Sequence, residues 1–231
     1  MIVKTLLFLC IVLTTLPKSS GTSFGIDVST KISVEEFKCL LNNNFISVTI
    51  RCFESTYGNP SGFIDPNCGN SIYNAWIAGF TWIDVYMFPC PKCGNATGQV
   101  NTLVKYLSDT FGYTTMVWVD VEENYKPPYY WSKTNTTKNV EFFSEIINAL
   151  EDNDITIGVY TSKYQWTSIM GKYTGGSPYP LWYNHNDTKP SFDDFTPFGG
   201  WTSPASKQYF LQYSICNVGV DLDIKLLAKP H

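Results

Sequence analysis

The sequence predicts an α/β protein: an irregular TIM-like β/α barrel with reduced helices in its C-terminal part. Five apolar, β-favouring runs alternate with stretches whose apolar residues recur at helical spacing. Such alternation builds a mainly parallel sheet. Beyond Gly171 it stops, and Pro, Gly, Asn and Asp punctuate short extended pieces. The number and length of the strands suit closure into a barrel. The rival is an open doubly wound sheet. Its nucleotide-binding version wants a glycine-rich turn after the first strand, where this chain has Asp27-Val28-Ser29-Thr30.

Phe24 to Val28 is a short first strand carrying an acid, Asp27, near its end. Ser29 to Asn44 follows as a helix, with Val34, Phe37, Leu40 and Leu41 on one side. Phe45 to Ile50 is the second strand and ends at Arg51. Asn67 to Phe80 is a helix with Ile72, Ala75, Trp76 and Gly79 along one side, so Trp76 is expected in the core. Trp82 to Phe88 is the third strand, stopped by Pro89. Thr97 to Phe111 is a helix, and Thr115 to Val121 a fourth strand. Thr136 to Asn153 is the clearest helix, with Val140, Phe143, Ile146, Ile147 and Leu150 in phase. Ile155 to Tyr160 is the fifth strand and Ser162 to Met170 a short helix. Tyr179 to Tyr183, Phe198 to Trp201 and Tyr209 to Tyr213 are the short extended pieces.

The first residues read as a secretory signal. Lys4 supplies the positive start, Thr5 to Leu16 the apolar centre, and Ser19, Ser20 and Gly21 the small residues for cleavage. That centre is short for a membrane span. The expected organisation is a signal over 1–21 and one domain over 22–231, exported to the medium or to a digestive compartment. A net charge of −4 without a basic run argues against nucleic acid or an anionic membrane as partner, and a monomer is expected. Aromatics make up 16% of the chain, a surplus that suits stacking on sugar faces.

Cys10 leaves with the signal, and the remaining Cys39, Cys52, Cys68, Cys90, Cys93 and Cys216 suggest disulfides whose pairing is open. Cys90-Pro-Lys-Cys93 lacks the second pair that a closed zinc site needs, and His185 and His231 offer no ligand spacing. No metal or other cofactor is expected. Asn95, Asn135 and Asn186 each precede a Thr by two positions, the pattern of N-glycosylation on loops or helix starts.

The chemistry-bearing stretch is Trp118-Val119-Asp120-Val121-Glu122-Glu123. On a strand Asp120 and Glu122 share a face, with Glu123 turned away. Two carboxylates on an apolar strand are costly unless paired or used. Asp27 ends the first strand, Asp84 lies inside the third and Asp221 follows the last, and barrel closure, which sets the last strand beside the first, can bring Asp221 towards Asp27. Asp84 is open between a substrate contact and a structural partner for Arg51. Many acids, many aromatics and no catalytic His or Cys point to acid-assisted cleavage of a glycosidic bond.

These residues carry a resemblance. Gly25-Ile26-Asp27-Val28-Ser29, Val85-Tyr86-Met87-Phe88-Pro89, Trp118 to Glu122, Gly158-Val159-Tyr160-Thr161-Ser162, Leu181-Trp182-Tyr183, Phe198-Gly199-Gly200-Trp201, Gln212-Tyr213 and Val220-Asp221-Leu222-Asp223 occur in that order. In this the chain resembles glycoside hydrolase family 25, the Ch-type lysozymes, and its Cys-rich Phe88-Pro89-Cys90-Pro91-Lys92-Cys93-Gly94-Asn95 segment resembles the subgroup found in microbial eukaryotes. The resemblance implies a catalytic barrel that cleaves the β-1,4 bond between N-acetylmuramic acid and N-acetylglucosamine in bacterial peptidoglycan, for defence or for digestion. It implies Glu122 as general acid and Asp120 as the acid that steadies the substrate's own 2-acetamido group. Asp27 and Asp221 match two further acids of the site, and Tyr86, Tyr160, Trp182, Asp84 and Gln212 are the expected substrate contacts. Asp223 stands where the family often has Asn, and so competes with Asp221. A chitinase-like barrel of family 18 is the neighbouring alternative, but Thr115 and Trp118 stand where its pattern has Asp. A barrel that binds sugar without cleaving it is the non-enzyme alternative.

Overall fold

The computed structural model describes residues 21–55, 63–112, 115–123 and 131–227. Residues 1–20 of the expected signal, with Cys10, and His231 lie outside them. Among the described residues, nine strands and five α-helices follow in the order β1 (Thr22–Val28), α1 (Val34–Asn42), β2 (Phe45–Glu54), β3 (Phe63–Ile64), α2 (Cys68–Ala78), β4 (Trp82–Met87), α3 (Ala96–Phe111), β5 (Val117–Asp120), α4 (Thr136–Glu151), β6 (Ile157–Thr161), α5 (Lys163–Met170), β7 (Leu181–Asn184), β8 (Ser206–Ile215) and β9 (Val218–Leu226). Eight strands close a barrel in the order β1-β2-β4-β5-β6-β7-β8-β9, with β9 returning to β1 and the short β3 added to β2. The predicted barrel with few late helices is the observed architecture.

Helix boundaries follow their caps. Ser33 starts α1 with a full capping box, its hydroxyl on the Glu36 N–H and the Glu36 carboxylate on the Ser33 N–H. This cap sets the start of α1 at Val34, five residues after Ser29, where periodicity alone begins the helix. Gly79 and Gly112, both left-handed, end α2 and α3.

The strands alternate two kinds of residue. Val85, Met87, Val117, Val119, Val159, Leu181, Leu222 and Ile224 join the apolar core shared with the helices. Their neighbours point into the barrel, where Trp118, Tyr160 and Trp182 form a separate aromatic cluster joined by Tyr86 and Met116. Gly158 makes room for it: a Cβ there would collide with the Trp118 ring. Below this cluster Asp84 Oδ2 accepts from Lys225 Nζ (3.0 Å), Trp82 Nε1 (3.1 Å) and Trp118 Nε1 (3.3 Å), and the ammonium also reaches Thr49 Oγ1 (2.9 Å). The barrel interior is therefore a packed, charge-paired floor. Arg51 pairs with Asp65 (2.7 Å) and Glu54 (3.2 Å), not with Asp84.

The C-terminal part departs from the sequence reading. Tyr209 to Tyr213 is the middle of the ten-residue strand β8, and Asp221 lies inside a further strand, β9, not beyond the last one. Cys216 and Asn217, at φ 55° and 65°, make the tight turn that sends β9 back antiparallel. Phe198 to Trp201 forms only an isolated bridge. Trp76 is 63% exposed, because α2 buries Ser71, Ile72 and Ala75 instead. Phe143 and Ile147 are core, and so is Trp201, packed edge-on against Trp166 at 4.7 Å.

The six cysteines pair as Cys39–Cys216, Cys52–Cys68 and Cys90–Cys93. Among the described residues, no helix is long and apolar enough to cross a membrane.

Candidate active site

Asp27, Tyr86, Asp120, Glu122, Tyr160, Trp182 and Asp221 line one cavity of about 210 Å³ at the mouth of the barrel. Asp120 is the last residue of β5, and Glu122 sits in the bend after it. Val121 between them stays in register, its N–H on the Tyr160 carbonyl (2.9 Å) and its carbonyl on the Thr161 hydroxyl (2.7 Å). That anchoring keeps both acids on the cavity side. Glu123 turns away to Ser168 (3.0 Å) and Gln165 (2.9 Å). Asp27 and Asp221 face each other as direct partners across β1 and β9. Because β9 runs antiparallel, Asp221 reaches the mouth from the beginning of its strand rather than from the end.

Gln208 holds this arrangement together. Its amide donates to Asp27 Oδ2 (2.7 Å) and Asp221 Oδ2 (3.3 Å), while its carbonyl accepts from Tyr160 OH (2.7 Å) and from Asn184 Nδ2. The Gln212 N–H fixes the other oxygen of Asp221 at 2.6 Å.

The electrostatics are those of crowded acids without a bonded cation among the described residues. Burial pushes Glu122 up to about 7, with the Asp221 charge adding to it. Burial, then the charges of Glu122 and Asp27, hold Asp120 well above the ordinary carboxylate value. Asp27 is raised by burial and by Asp223 and Asp221, against the pull of Gln208 and Lys225. Asp120 Oδ1 is buried and has no hydrogen-bond partner among the described residues.

Two hollows flank the cavity. One of about 420 Å³ shares Asp27, Tyr86 and Asp221 with it and runs between Ser29-Thr30 and Gln212-Gly219. The other, about 370 Å³, shares Asn184 and lies over β6 and β7, roughly across the mouth. A larger hollow of about 580 Å³ beside Trp131, Lys133 and Lys138 contains none of the acids, so size does not mark the site.

A family model described as "Lysozyme-like protein 1" matches residues 18–209. The chain is 45% identical over 199 residues to a probable GH family 25 lysozyme 2 of Dictyostelium discoideum, covering 86% of this chain and 89% of that protein. The chain belongs to glycoside hydrolase family 25, the lysozymes. Lysozyme-like protein 1 of Caenorhabditis elegans is 32% identical, over 90% of this chain and 70% of its own length. A solved family GH25 lysozyme of Aspergillus fumigatus superposes with a TM-score of 0.69 at 20% identity, over 89% of this chain and 94% of its own. That likeness speaks to the barrel alone.

On this family-25 barrel two expected contacts fall elsewhere. Asp84 lines neither the cavity nor the flanking hollows; it is the floor partner of Lys225, two positions below Tyr86 on β4. Gln212 lies in a flanking hollow, and the glutamine inside the cavity is Gln208. Both are followed by Tyr, and the sequence reading took the second of two similar pairs. Asn184 and Leu211 were also missed, although Asn184 follows Trp182 at the strand period. Asp223 competes no further for the cavity: it is fully buried behind it, accepts from Trp182 Nε1 (2.9 Å) and is pushed up to about 8 by burial.

His185, Asp187 and Asp194 bring ligand atoms within 4.8 Å of one another, a grouping the sequence reading did not expect. The buried ammonium of Lys207 already bonds Asp194 (2.7 Å) and Asp187 (2.9 Å), so a metal ion would have to displace it.

Proposed function

We propose that the cavity cleaves the β-1,4 bond between N-acetylmuramic acid and N-acetylglucosamine in bacterial peptidoglycan. The observation that carries this is the convergence of Asp27, Asp120, Glu122 and Asp221 in one sugar-sized cavity of a family-25 barrel. In this reading Glu122 is the proton donor. Its raised value keeps it protonated up to about pH 7. It delivers the proton to the glycosidic oxygen as the bond from that oxygen to the anomeric carbon breaks. The carbonyl oxygen of the substrate's 2-acetamido group attacks that carbon and forms an oxazolinium. Water then attacks the same carbon, its proton passes to Glu122, and the ring reopens.

Asp120 serves the acetamido group. Burial, with the charges of Glu122 and Asp27, raises Asp120 in the free enzyme. An acetamido N–H placed on the unpartnered Oδ1 supplies a donor, and the oxazolinium charge favours the carboxylate further. The negative charge is thus drawn out by the intermediate. Tyr86, Tyr160 and Trp182 supply the aromatic walls, and the Gln208 amide bridges Asp27 and Asp221.

The test is fragment analysis: purified protein should clear bacterial walls and release glycans with muramic acid at the reducing end. Reducing-end N-acetylglucosamine would assign the other bond, and no release would favour a binding protein. Export, antibacterial or digestive use, a monomeric state and the absence of nucleic-acid partners belong to the same proposal. The signal-like start, the three disulfides and the placement of Asn95 and Asn135 at helix starts and Asn186 on an exposed loop support export. Secretion from cells and the mass of the product check it.

A further inference from the structure

The β8–β9 hairpin overhangs the cavity. Leu211 lines the cavity itself, and Gln212, Gly219 and Val220 wall the 420 Å³ hollow whose opposite wall is Val28, Ser29 and Thr30. The ladder of this hairpin is irregular, although it stays paired up to the turn, from Tyr213–Val220 to Ile215–Val218. Its register slips between Gln208 and Phe210 and again between Phe210 and Tyr213. Gln212 sits at φ 54°, a left-handed backbone that a non-glycine residue rarely takes. Leu211 to Ser214 are exposed. Yet this segment sets the site, because the Gln212 N–H fixes Asp221 at 2.6 Å.

The hairpin's turn is tied down at one covalent point. Cys216, in the turn, is bonded to Cys39 in α1, across a sequence separation of 177. Asn43, the C-cap of α1, places its amide 3.8 Å from both sulfurs. The link therefore joins the hairpin to the helix that follows the opposite wall of the hollow. The other disulfides lie apart: Cys52–Cys68 joins β2 to α2 in the core, and Cys90–Cys93 closes a turn after β4.

We propose that Cys39–Cys216 is a positioning disulfide for the substrate cleft: by tying the hairpin's turn to α1 it sets the width of the flanking hollow and holds the Gln212 N–H on Asp221. The proposal rests on the reading of the cleft as a peptidoglycan site. A glycan filling only the central cavity meets the hairpin at Leu211, whereas a longer one also runs between Gln212 and Ser29. Loss of the tie lets that wall move and charges the cost of ordering it to the binding of long chains.

The test compares Cys39→Ser/Cys216→Ser with wild type and with Cys90→Ser/Cys93→Ser, a control that removes a disulfide away from the hairpin. Steady-state kinetics are measured on soluble glycans of alternating N-acetylglucosamine and N-acetylmuramic acid, of four and of eight or more sugars. KM on the long glycan should rise roughly tenfold in the Cys39/Cys216 variant, with a smaller change on the short one and kcat within a few-fold. The control should keep wild-type KM on both. A variant with a lowered melting temperature but wild-type KM on both glycans would have lost only a structural staple, and the proposal falls. If the variant does not fold, the folded wild type is treated with a small thiol and alkylated. Cys39 and Cys216 are partly exposed whereas Cys52 and Cys68 are buried, and peptide mapping identifies the opened bond. The same rise in KM is expected, and its absence again overturns the proposal. Wild type that cleaves neither glycan refutes the reading of the cleft itself; active wild type with unchanged KM in the untied protein refutes only the clamp.

Discussion

Two groups of acids lie close together near the barrel mouth and have opposite electrostatics. Beside β7, burial works to raise Asp187 and Asp194, but the hydrogen bonds and charge of Lys207 outweigh it, and both carboxyls lie below their ordinary value. In the cavity, Asp27, Asp120, Glu122 and Asp221 are all raised, burial being the first cause in each. The nearest cations, Lys225 and Arg51, pull on Asp27 and Asp120 from a distance but bond other partners. The first group is a solved ion network that builds a loop. The second is left unneutralised, which is costly for folding and useful for moving a proton.

Substitutions that break this contrast should rank as follows. Glu122→Gln keeps the shape and removes the proton donor; lysis should fall about a thousandfold or more while binding and fold persist, measured by turbidity and by glycan retention. Near-normal lysis would strip Glu122 of its role. Gln208→Leu removes the amide that bonds both Asp27 and Asp221 and leaves the Tyr160 hydroxyl without its acceptor. A loss of about a hundredfold in kcat is expected, with the melting temperature changed far less than activity. Lys207→Met leaves two carboxylates facing each other without their ammonium. Stability should drop by about 2–4 kcal/mol in urea unfolding, with kcat on a short glycan near wild type. An unchanged midpoint would show that the loop does not need the ion network.

The gentlest test is pH. Groups raised in the folded state bind protons there that the unfolded chain has already lost. Glu122 at about 7 and Asp223 at about 8 therefore make the fold less stable as pH rises from about 4.5 to 8, the reverse of ordinary paired carboxylates. The melting temperature should climb as pH falls through that window. Glu122→Gln should recover on the order of 2 kcal/mol at pH 8 by removing one such group. Activity should decline above about pH 7 as Glu122 loses its proton. A flat melting curve over this range would mean that the acids are relieved by some partner outside the cavity.

The sequence shows which residues are apolar at which period, and so the barrel, the strand with its two acids and most helices were legible. It shows less of what depends on register. Gln208-Tyr209 and Gln212-Tyr213 look alike in the chain, and only the two irregularities in β8 decide which glutamine enters the cavity. Asp221 read as a loop residue because the turn at Cys216-Asn217 has no Gly to announce it. Asp84 and Asp120 are both acids on parallel strands, but they sit at different depths, and depth is fixed by how neighbouring strands are staggered. Trp76 follows the helical period of α2, yet faces solvent because the stripe that packs is the smaller Ser71, Ile72 and Ala75. Lys207 and Lys225, which neutralise one acid group and the barrel floor, sit on the last two strands and are almost invisible as charges in a sequence.

The floor of the barrel has one more effect. Lys225, Asp84 and the three ring systems above them block any passage downwards, while hollows extend from the cavity towards roughly opposite sides of the mouth. A long glycan cannot be fed end-first through such a molecule; it has to lie across it like a thread over a saddle. Cuts at interior positions of the strand are the expected outcome, checked by the size of the first fragments released. A wall treated this way should lose its mechanical integrity after few cuts, with long fragments appearing well before disaccharides.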